Sequence, residues 1–373
     1  MSAARVDVAV VGGGLVGAAI AFGMRALGVR LALLDEGDVA HRAARGNFGL
    51  IWVQGKGFGM AAYGGWTQAS AREWPRLAAL LHEETGIDVA LRQAGGLHAC
   101  LTARELDVRA ERMARLLAQP GFEPYPIEVL DRAAVARRLP GVGPDVVGGT
   151  WSALDGDCNP LRLLHALHAG VARTGGQVLA GHRVTRIEPA AGRFVLHTSR
   201  GIVECARVVL AAGLANATLA PMVGLNAPVT PNKGQVIVLE RVRPFLPYPL
   251  ETLRQTDEGT VLIGDAQQER GFDETLDTAV LAAMAARAIR VFPLLRDVRV
   301  TRAWAALRVM SPDGFPVYAQ SPACPGAFVV TCHSGVTLAA VHALALGAAL
   351  ADGELPAAAR AFPADRFDVR AAA

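Results

Sequence analysis

Residues 6–17 read Val-Asp-Val-Ala-Val-Val-Gly-Gly-Gly-Leu-Val-Gly, and a second apolar run, Val29 to Leu34, ends in Asp35. This order constrains the fold more than anything else in the chain. A buried strand enters a tight turn, and a helix is expected from Leu15 to Leu27, stopped by Gly28 before the second strand. The three glycines meet different steric demands. Gly12 makes the turn, Gly14 keeps a Cβ out of the way of a pyrophosphate, and Gly17 lets the helix lie close on the strand. The helix start offers unpaired N–H groups and a positive dipole end to phosphate. Asp35 stands where a carboxylate accepts hydrogen bonds from ribose hydroxyls and disfavours a 2′-phosphate. These residues predict an adenine dinucleotide site and leave NAD and FAD both open. No second GxGxxG follows, so substrate and a single cofactor are expected to exchange electrons directly.

The remaining composition narrows the class. With 373 residues, 52% of them hydrophobic, two domains are expected. A net charge of +3 without a basic run argues against a nucleic-acid partner. No apolar stretch approaches the ~20 residues of a transmembrane span. The apolar start has no small-residue cleavage site and already serves the fingerprint, so a cytoplasmic protein is expected, peripheral to a membrane only through a partner. Cys100, Cys158, Cys205, Cys324 and Cys332 lack metal or iron–sulfur spacing, and no metal site is expected. Helices are expected over Met60–Glu84, Ala103–Gln119, Asn159–Gly175, Glu274–Val291 and Ser334–Leu350. Strands are expected at Val178–Leu179, Val184–Ile187, Phe194–Thr198, Ile202–Glu204, Val208–Ala211, Gln235–Glu240 and Thr260–Gly264. Strands alternate with helices at both ends, and the strand-rich middle suggests a nucleotide domain interrupted by a substrate domain.

Four further segments bear on the cofactor: AARGNFGL at Ala43–Leu50, ARVVLAAG at Ala206–Gly213, WAALRVMSPDGFPV at Trp304–Val317 and HSGVTL at His333–Leu338. In this order the chain resembles the FAD-dependent D-amino-acid oxidase superfamily, which includes glycine oxidase and sarcosine oxidase. RGNFGLIWVQGKG and DGDCNPL (Asp155–Leu161) resemble the branch holding the β subunits of D-hydroxyproline dehydrogenase and opine oxidase, with cyanide-forming glycine dehydrogenases nearby. The resemblance implies an α/β fold: a Rossmann-like FAD-binding domain of glutathione-reductase type, over 1–86, 146–222 and 304–373. It also implies a discontinuous α+β substrate domain on a mostly antiparallel sheet, over 87–145 and 223–303.

The resemblance further implies residue roles. Arg308, in a segment with Ala306 where the family has glycine, would take the substrate carboxylate bidentately and border the flavin. FAD would be met by Gly12, Gly14, Leu15, Val16, Gly17, Asp35 and Glu36, then by Ala44, Arg45, Asn47, Phe48, Gly49 and Leu50. Val184 would meet the adenine, and Ala211, Ala212 and Gly213 would close over the dinucleotide. Gly335, Val336, Thr337 and Leu338 would approach the pyrimidine end of the flavin, where a helix start stabilises the reduced anion. His333 would border the site. Sarcosine oxidases that link FAD covalently use a cysteine shortly before the Pro-Asp turn. This chain has none between Cys205 and Cys324, so its FAD is expected to be non-covalent.

Composition adds one candidate. The chain has only two lysines, Lys56 and Lys233, both in glycine-flanked turns, among 37 basic residues. An arginine-biased chain is expected to keep at least one where a compact ammonium is needed, near flavin or substrate. Trp52 and Trp304 are candidate pocket walls. The expected activity is oxidation of an amino acid, either a secondary amine or a D-amino acid such as D-hydroxyproline, D-proline or an opine, to the imine by hydride transfer to flavin N5. The alternatives are a 2-hydroxy-acid dehydrogenase and a flavin subunit active only within a heteromeric dehydrogenase.

Overall fold

The computed structural model describes residues 4–37, 43–264 and 266–368. Its largest sheet is built outward from the fingerprint strand, Ala4–Val11. That strand runs parallel to Leu31–Asp35 on one side and to Gly201–Leu210 on the other. Gln177–Ala180 and Ala327–Thr331 extend the parallel order, and Val317–Gln320 closes one edge antiparallel. Arg193–Thr198 and Val184–Ala190 leave the sheet as an antiparallel offshoot. Val8, Ala9, Val10, Leu33, Val208, Val209, Val329 and Val330 are fully buried. These uninterrupted apolar runs are what a parallel strand covered on both faces requires.

The helix Leu15–Met24 follows the turn and packs against the helix Pro160–Arg173 and the helical segment from Ala339 to Asp352. Glycines set that last approach. A Cβ on Gly23 would lie 2.4 Å from the Ala343 carbonyl oxygen, and one on Gly347 would lie 2.6 Å from that of Ile20. Only hydrogen fits at either position, so the two helices cross at backbone contact and bring the Ser334–Leu338 loop to the fingerprint helix.

A second body of structure carries a four-stranded antiparallel sheet in the order Leu253–Gln255, Thr260–Ile263, Thr230–Arg241, Val300–Met310. A three-stranded antiparallel sheet of Gly96–Cys100, Gly148–Ser152 and Glu128–Asp131 shares its core, in which Leu97, Val135 and Leu139 pack with Ile237, Val261 and Phe292. The expected boundaries at 146 and 304 differ from this arrangement, because Gly148–Ser152 and all of Val300–Met310 pair within these sheets. By sheet membership, we propose returns to the dinucleotide unit after 152 and after 310. The two bodies are tied by the short pairing of Leu50–Ile51 with Gly156–Asp157. Buried Asp157 accepts from Arg92 at 2.9 Å and Arg254 at 3.0 Å, a doubly paired carboxylate whose hydrogen bonds offset its desolvation.

Several sequence expectations shift at their ends. The expected helices appear as Ala61–Thr85, Ala103–Leu117, Pro160–Arg173 and Thr278–Val291. Thr102 accepts from Glu105 N, Asn159 from Leu161 N and Arg162 N, and Asp277 from Ala279 N and Val280 N, so side-chain caps fix the starts of three of them. The last helix begins at Ala339, five residues later than expected, because Ser334–Leu338 is held by tertiary bonds instead. The two expected runs Ile202–Glu204 and Val208–Ala211 are one central strand, Gly201–Leu210. Among the described residues, no helix is long and apolar enough to cross a membrane. None of their His, Cys, Asp and Glu side chains form a metal-holding group.

Candidate active site

The turn after the first strand is strained in the way only glycine permits. Gly12 has φ +107°, and a Cβ there would lie 2.4 Å from the Ala211 carbonyl oxygen. A Cβ on Gly17 would lie 1.9 Å from the Gly12 oxygen, so the helix closes on the turn as expected. At Gly14 the nearest atom to a Cβ is Ala44 Cβ at 3.5 Å; the space beside it opens into a cleft. Asp35 has a further role not foreseen in the sequence. Its two oxygens accept from Gly13 N at 2.9 Å and Gly37 N at 2.8 Å, clamping the turn while still facing the cleft. Each carboxylate oxygen has a second lone pair for a ribose hydroxyl. On the other side His168 Nε2 lies 2.7 Å from the Gly13 carbonyl oxygen.

The cleft encloses about 680 Å³ and runs from His182–Thr185 past the turn to His333 and Gly335. Gly12, Gly14, Leu15, Val16, Asp35, Glu36, Ala44, Arg45, Asn47, Val184 and Ala211–Gly213 all line it. A second cavity of about 330 Å³ adjoins it and shares Ala43, Asn47, His333 and Gly335. Phe48, Leu50, Trp52, Lys56, Arg308, Val336 and Thr337 line this second space. Gly17, Gly49 and Leu338 face neither cavity. Gly17 serves the helix contact, a Cβ on Gly49 would strike the Cys158 carbonyl oxygen at 2.5 Å, and Leu338 is fully buried. Trp304 lines neither; its Nε1 donates to the Gly46 oxygen at 3.2 Å. Ala306, the departure from the family segment, is accommodated by Gly46, whose Cβ would have met Ala306 Cβ at 2.4 Å.

The strand Val300–Met310 divides the two spaces by simple alternation. Leu307 and Val309 face the cleft, whereas Ala306, Arg308 and Met310 face the second cavity. Arg308 is paired in register with Asn232. Its Nη1 donates to the Ala266 oxygen at 2.6 Å and to Asn232 Oδ1 at 3.3 Å, which fixes the plane of the fork. Gly234, on the neighbouring strand, leaves room for the guanidinium; its Cβ would lie 2.7 Å from Nη1.

Lys56 reaches the same cavity from the loop side. Its Nζ lies 2.9 Å from His333 Nε2 and donates to Ser334 Oγ at 3.2 Å. Burial, followed by the positive charges of Lys56 and Arg308, pushes the His333 pKa well below the ordinary histidine value. The imidazole is therefore neutral, and its Nε2 accepts a hydrogen bond from Lys56 Nζ. The other lysine has a different position. Lys233, 2% exposed, pairs with Asp273 at 2.7 Å and faces neither cavity.

The sequence had not singled out the wall opposite. Asn232, Gly234, Gln235 and Glu251 line the second cavity, and residues 230–241 carry no period-two alternation that would have singled out the first two. Behind the wall, Asp155 accepts from Val53 N at 2.5 Å and Gln54 Nε2 at 2.6 Å, and Thr150 and Arg109 hold the Gln54 oxygen. Burial raises the Asp155 pKa to about 7 despite these bonds.

The cleft fits an FAD on its own terms. It starts at a helix N-terminus where the missing Cβ of Gly14 leaves open space, carries a carboxylate at the end of the second strand, and opens into a smaller cavity where a redox ring would meet a substrate. These features define a dinucleotide-dependent oxidoreductase. The chain belongs to the FAD-dependent oxidoreductase (DAO) family, whose model matches residues 7–349. It is 43% identical over 368 residues to an opine oxidase subunit from Rhizobium meliloti, covering 99% of each chain. It is 28% identical to glycine oxidase of Pseudomonas putida, over 89% of this chain and 91% of that one. Glycine oxidase from Geobacillus kaustophilus superposes with a TM-score of 0.88 at 25% identity, covering 99% of this chain and 100% of that one. The protein is an FAD-dependent oxidoreductase acting on CH–NH donors.

Proposed function

We propose that the chain oxidises an amino acid, a secondary amine or D-amino acid such as D-hydroxyproline, D-proline or an opine, to its imine in the second cavity. The observation that carries this reading is Arg308, a guanidinium fixed on a strand beside the junction of the two cavities. A planar fork there takes a carboxylate bidentately and so sets which Cα–H bond faces the cleft. Bound FAD, held without a covalent link along Gly12–Val16, Asp35, Arg45 and Ala211–Gly213, supplies a two-electron acceptor. The substrate's Cα–H bond breaks with its electron pair leaving as hydride, and the nitrogen lone pair closes the C=N bond of an iminium that water then hydrolyses. This requires a neutral amine and a fixed geometry, and no general base on the chain. Trp52 and Met310 wall the space and exclude water.

That the opine oxidase relative is itself one subunit of a larger enzyme supports a heteromeric assembly in which partner chains or a carrier take the electrons onward. The proposed compartment is the cytoplasm. The test is anaerobic mixing of the FAD-loaded protein with D-amino acids, N-alkyl amino acids and 2-hydroxy acids. Loss of the oxidised flavin spectrum with amines alone is expected. Bleaching by hydroxy acids alone would replace this reading with the alcohol-oxidising one.

A further inference from the structure

The second lysine lies beneath a strap. Residues 266–277 follow the strand Thr260–Ile263 and lead into the helix Thr278–Val291. We propose that this strap is a wall of the cofactor cleft, with Phe272 packing on bound FAD and Lys233 the positioning residue that holds it there through Asp273. The proposal concerns the cofactor and stands whichever donor the protein oxidises.

Sheet register places Lys233 on the cleft side. It pairs with Leu307 across the antiparallel ladder, and paired side chains stand on one face, the face that Leu307 turns to the cleft. Lys233 nonetheless stops short of the cleft, because Asp273 meets its ammonium at 2.7 Å and leaves it 2% exposed. Phe272 and Glu274, on either side of Asp273, line the cleft. The ends of the strap are tied to the same strand. Lys233 and Gln268 exchange backbone hydrogen bonds, both at 2.9 Å, and Gln235 Oε1 accepts from Asp277 N at 2.9 Å. Asp273 fixes the middle: its other oxygen accepts from Thr275 N at 2.9 Å and Thr275 Oγ1 at 2.6 Å. The Lys233 bond, followed by those from Thr275, holds the Asp273 carboxyl below the usual carboxylate range.

Burying an ammonium costs free energy that an apolar side chain there would avoid, so the use of Lys233 lies in specifying one arrangement of the strap. Phe272 supplies the reason for specifying it. The ring lines a cleft yet is 74% exposed, the highest value among the exposed large apolar side chains of the described residues. A cofactor in the cleft covers part of that ring and takes it out of water. Without the pair to Asp273, the segment that carries Phe272 would keep its two tied ends and lose its central hold.

The test follows FAD release, read as the rise of free-flavin fluorescence after dilution of the FAD-loaded protein with no substrate present. Phe272→Ala should release FAD about 10-fold faster than wild type, the effect of removing one aromatic contact, and Phe272→Trp should hold it at least as long. Lys233→Met should match Phe272→Ala, and the double variant should be no faster than either, because both changes remove the same contact. Asp273→Asn breaks the pair from its partly exposed side and should match Lys233→Met, which keeps the test open where Lys233→Met impairs folding. Release from Phe272→Ala within about twofold of wild type would overturn the proposal. So would effects of Phe272→Ala and Lys233→Met that multiply in the double variant, or wild-type release from both Lys233→Met and Asp273→Asn.

Discussion

Gly234→Ala tests the role of Arg308 without touching Arg308. The added Cβ would sit 2.7 Å from Arg308 Nη1 and 2.9 Å from Cζ, where ordinary contact begins at 3.4 Å. The guanidinium must therefore retreat by about 1 Å, giving up the 2.6 Å bond to Ala266 that sets its plane. A carboxylate held by two charge-assisted bonds then keeps roughly one, a loss of about 2 kcal/mol, or about 30-fold in kcat/KM. Gly234 has no positive φ, so the strand accepts alanine, and the unfolded chain loses entropy. The expected result is a fall of about 30-fold for carboxylate substrates, measured by anaerobic flavin reduction. FAD content should stay the same and the thermal midpoint should not be lowered. A kcat/KM within about threefold of wild type, with Arg308 displaced, would refute the carboxylate role.

Arg308→Lys, which keeps the charge and loses the planar fork, should raise KM for carboxylate substrates by about 100-fold while the flavin stays bound; unchanged steady-state kinetics would sink the assignment. Acid precipitation should leave FAD in the supernatant, whereas a yellow pellet would show a covalent link. Asp155 should make stability pH-dependent. Burial raises its folded pKa from 3.8 to about 7, so its contribution is fully present below 3.8, declines as pH rises towards 7, and is constant above. The unfolding free energy of wild type relative to Asp155→Asn should therefore fall across that window by up to about 1.4 kcal/mol per pH unit, measured by urea titration. A flat difference there would contradict it.

What was legible in the sequence follows from how local the physical demands are. The fingerprint could be read because Gly17 and Asp35 answer steric and hydrogen-bonding demands within one strand–turn–helix–strand unit, and Gly12 answers its own turn, with φ +107°. Arg308 was identified by resemblance, yet its strand was not, because apart from Arg308 the run Ala305–Met310 is apolar on both faces and shows no alternation. The reason is visible in the fold, where that strand has a cavity on each side. The late start of the last helix was equally hidden. Ser334 is hydrogen-bonded to Tyr63 at 2.7 Å, and the Thr337 oxygen accepts from Ser70 at 2.6 Å, contacts more than 260 residues apart in the chain. Asn232 and Glu251 escaped notice for the same reason: long-range contacts bring them to the cavity, Asn232 by pairing with the Arg308 strand and Glu251 by its hydrogen bond to the Leu97 oxygen. The two lysines show the limit of compositional reasoning. It found Lys56 at the cavity and also pointed to Lys233, whose buried ammonium is paired with the partly exposed Asp273.

The central claim, that the second cavity holds an amine's carboxylate on Arg308 beside the cofactor, is tested most directly by a crystal structure of the FAD-loaded protein with a non-oxidisable carboxylate thioether. The expected density places the redox ring at the junction formed by Asn47, His333 and Gly335, with the ligand carboxylate within hydrogen-bond distance of Arg308. A ligand carboxylate bound elsewhere, with Arg308 still turned to Ala266 and Asn232, would contradict the account.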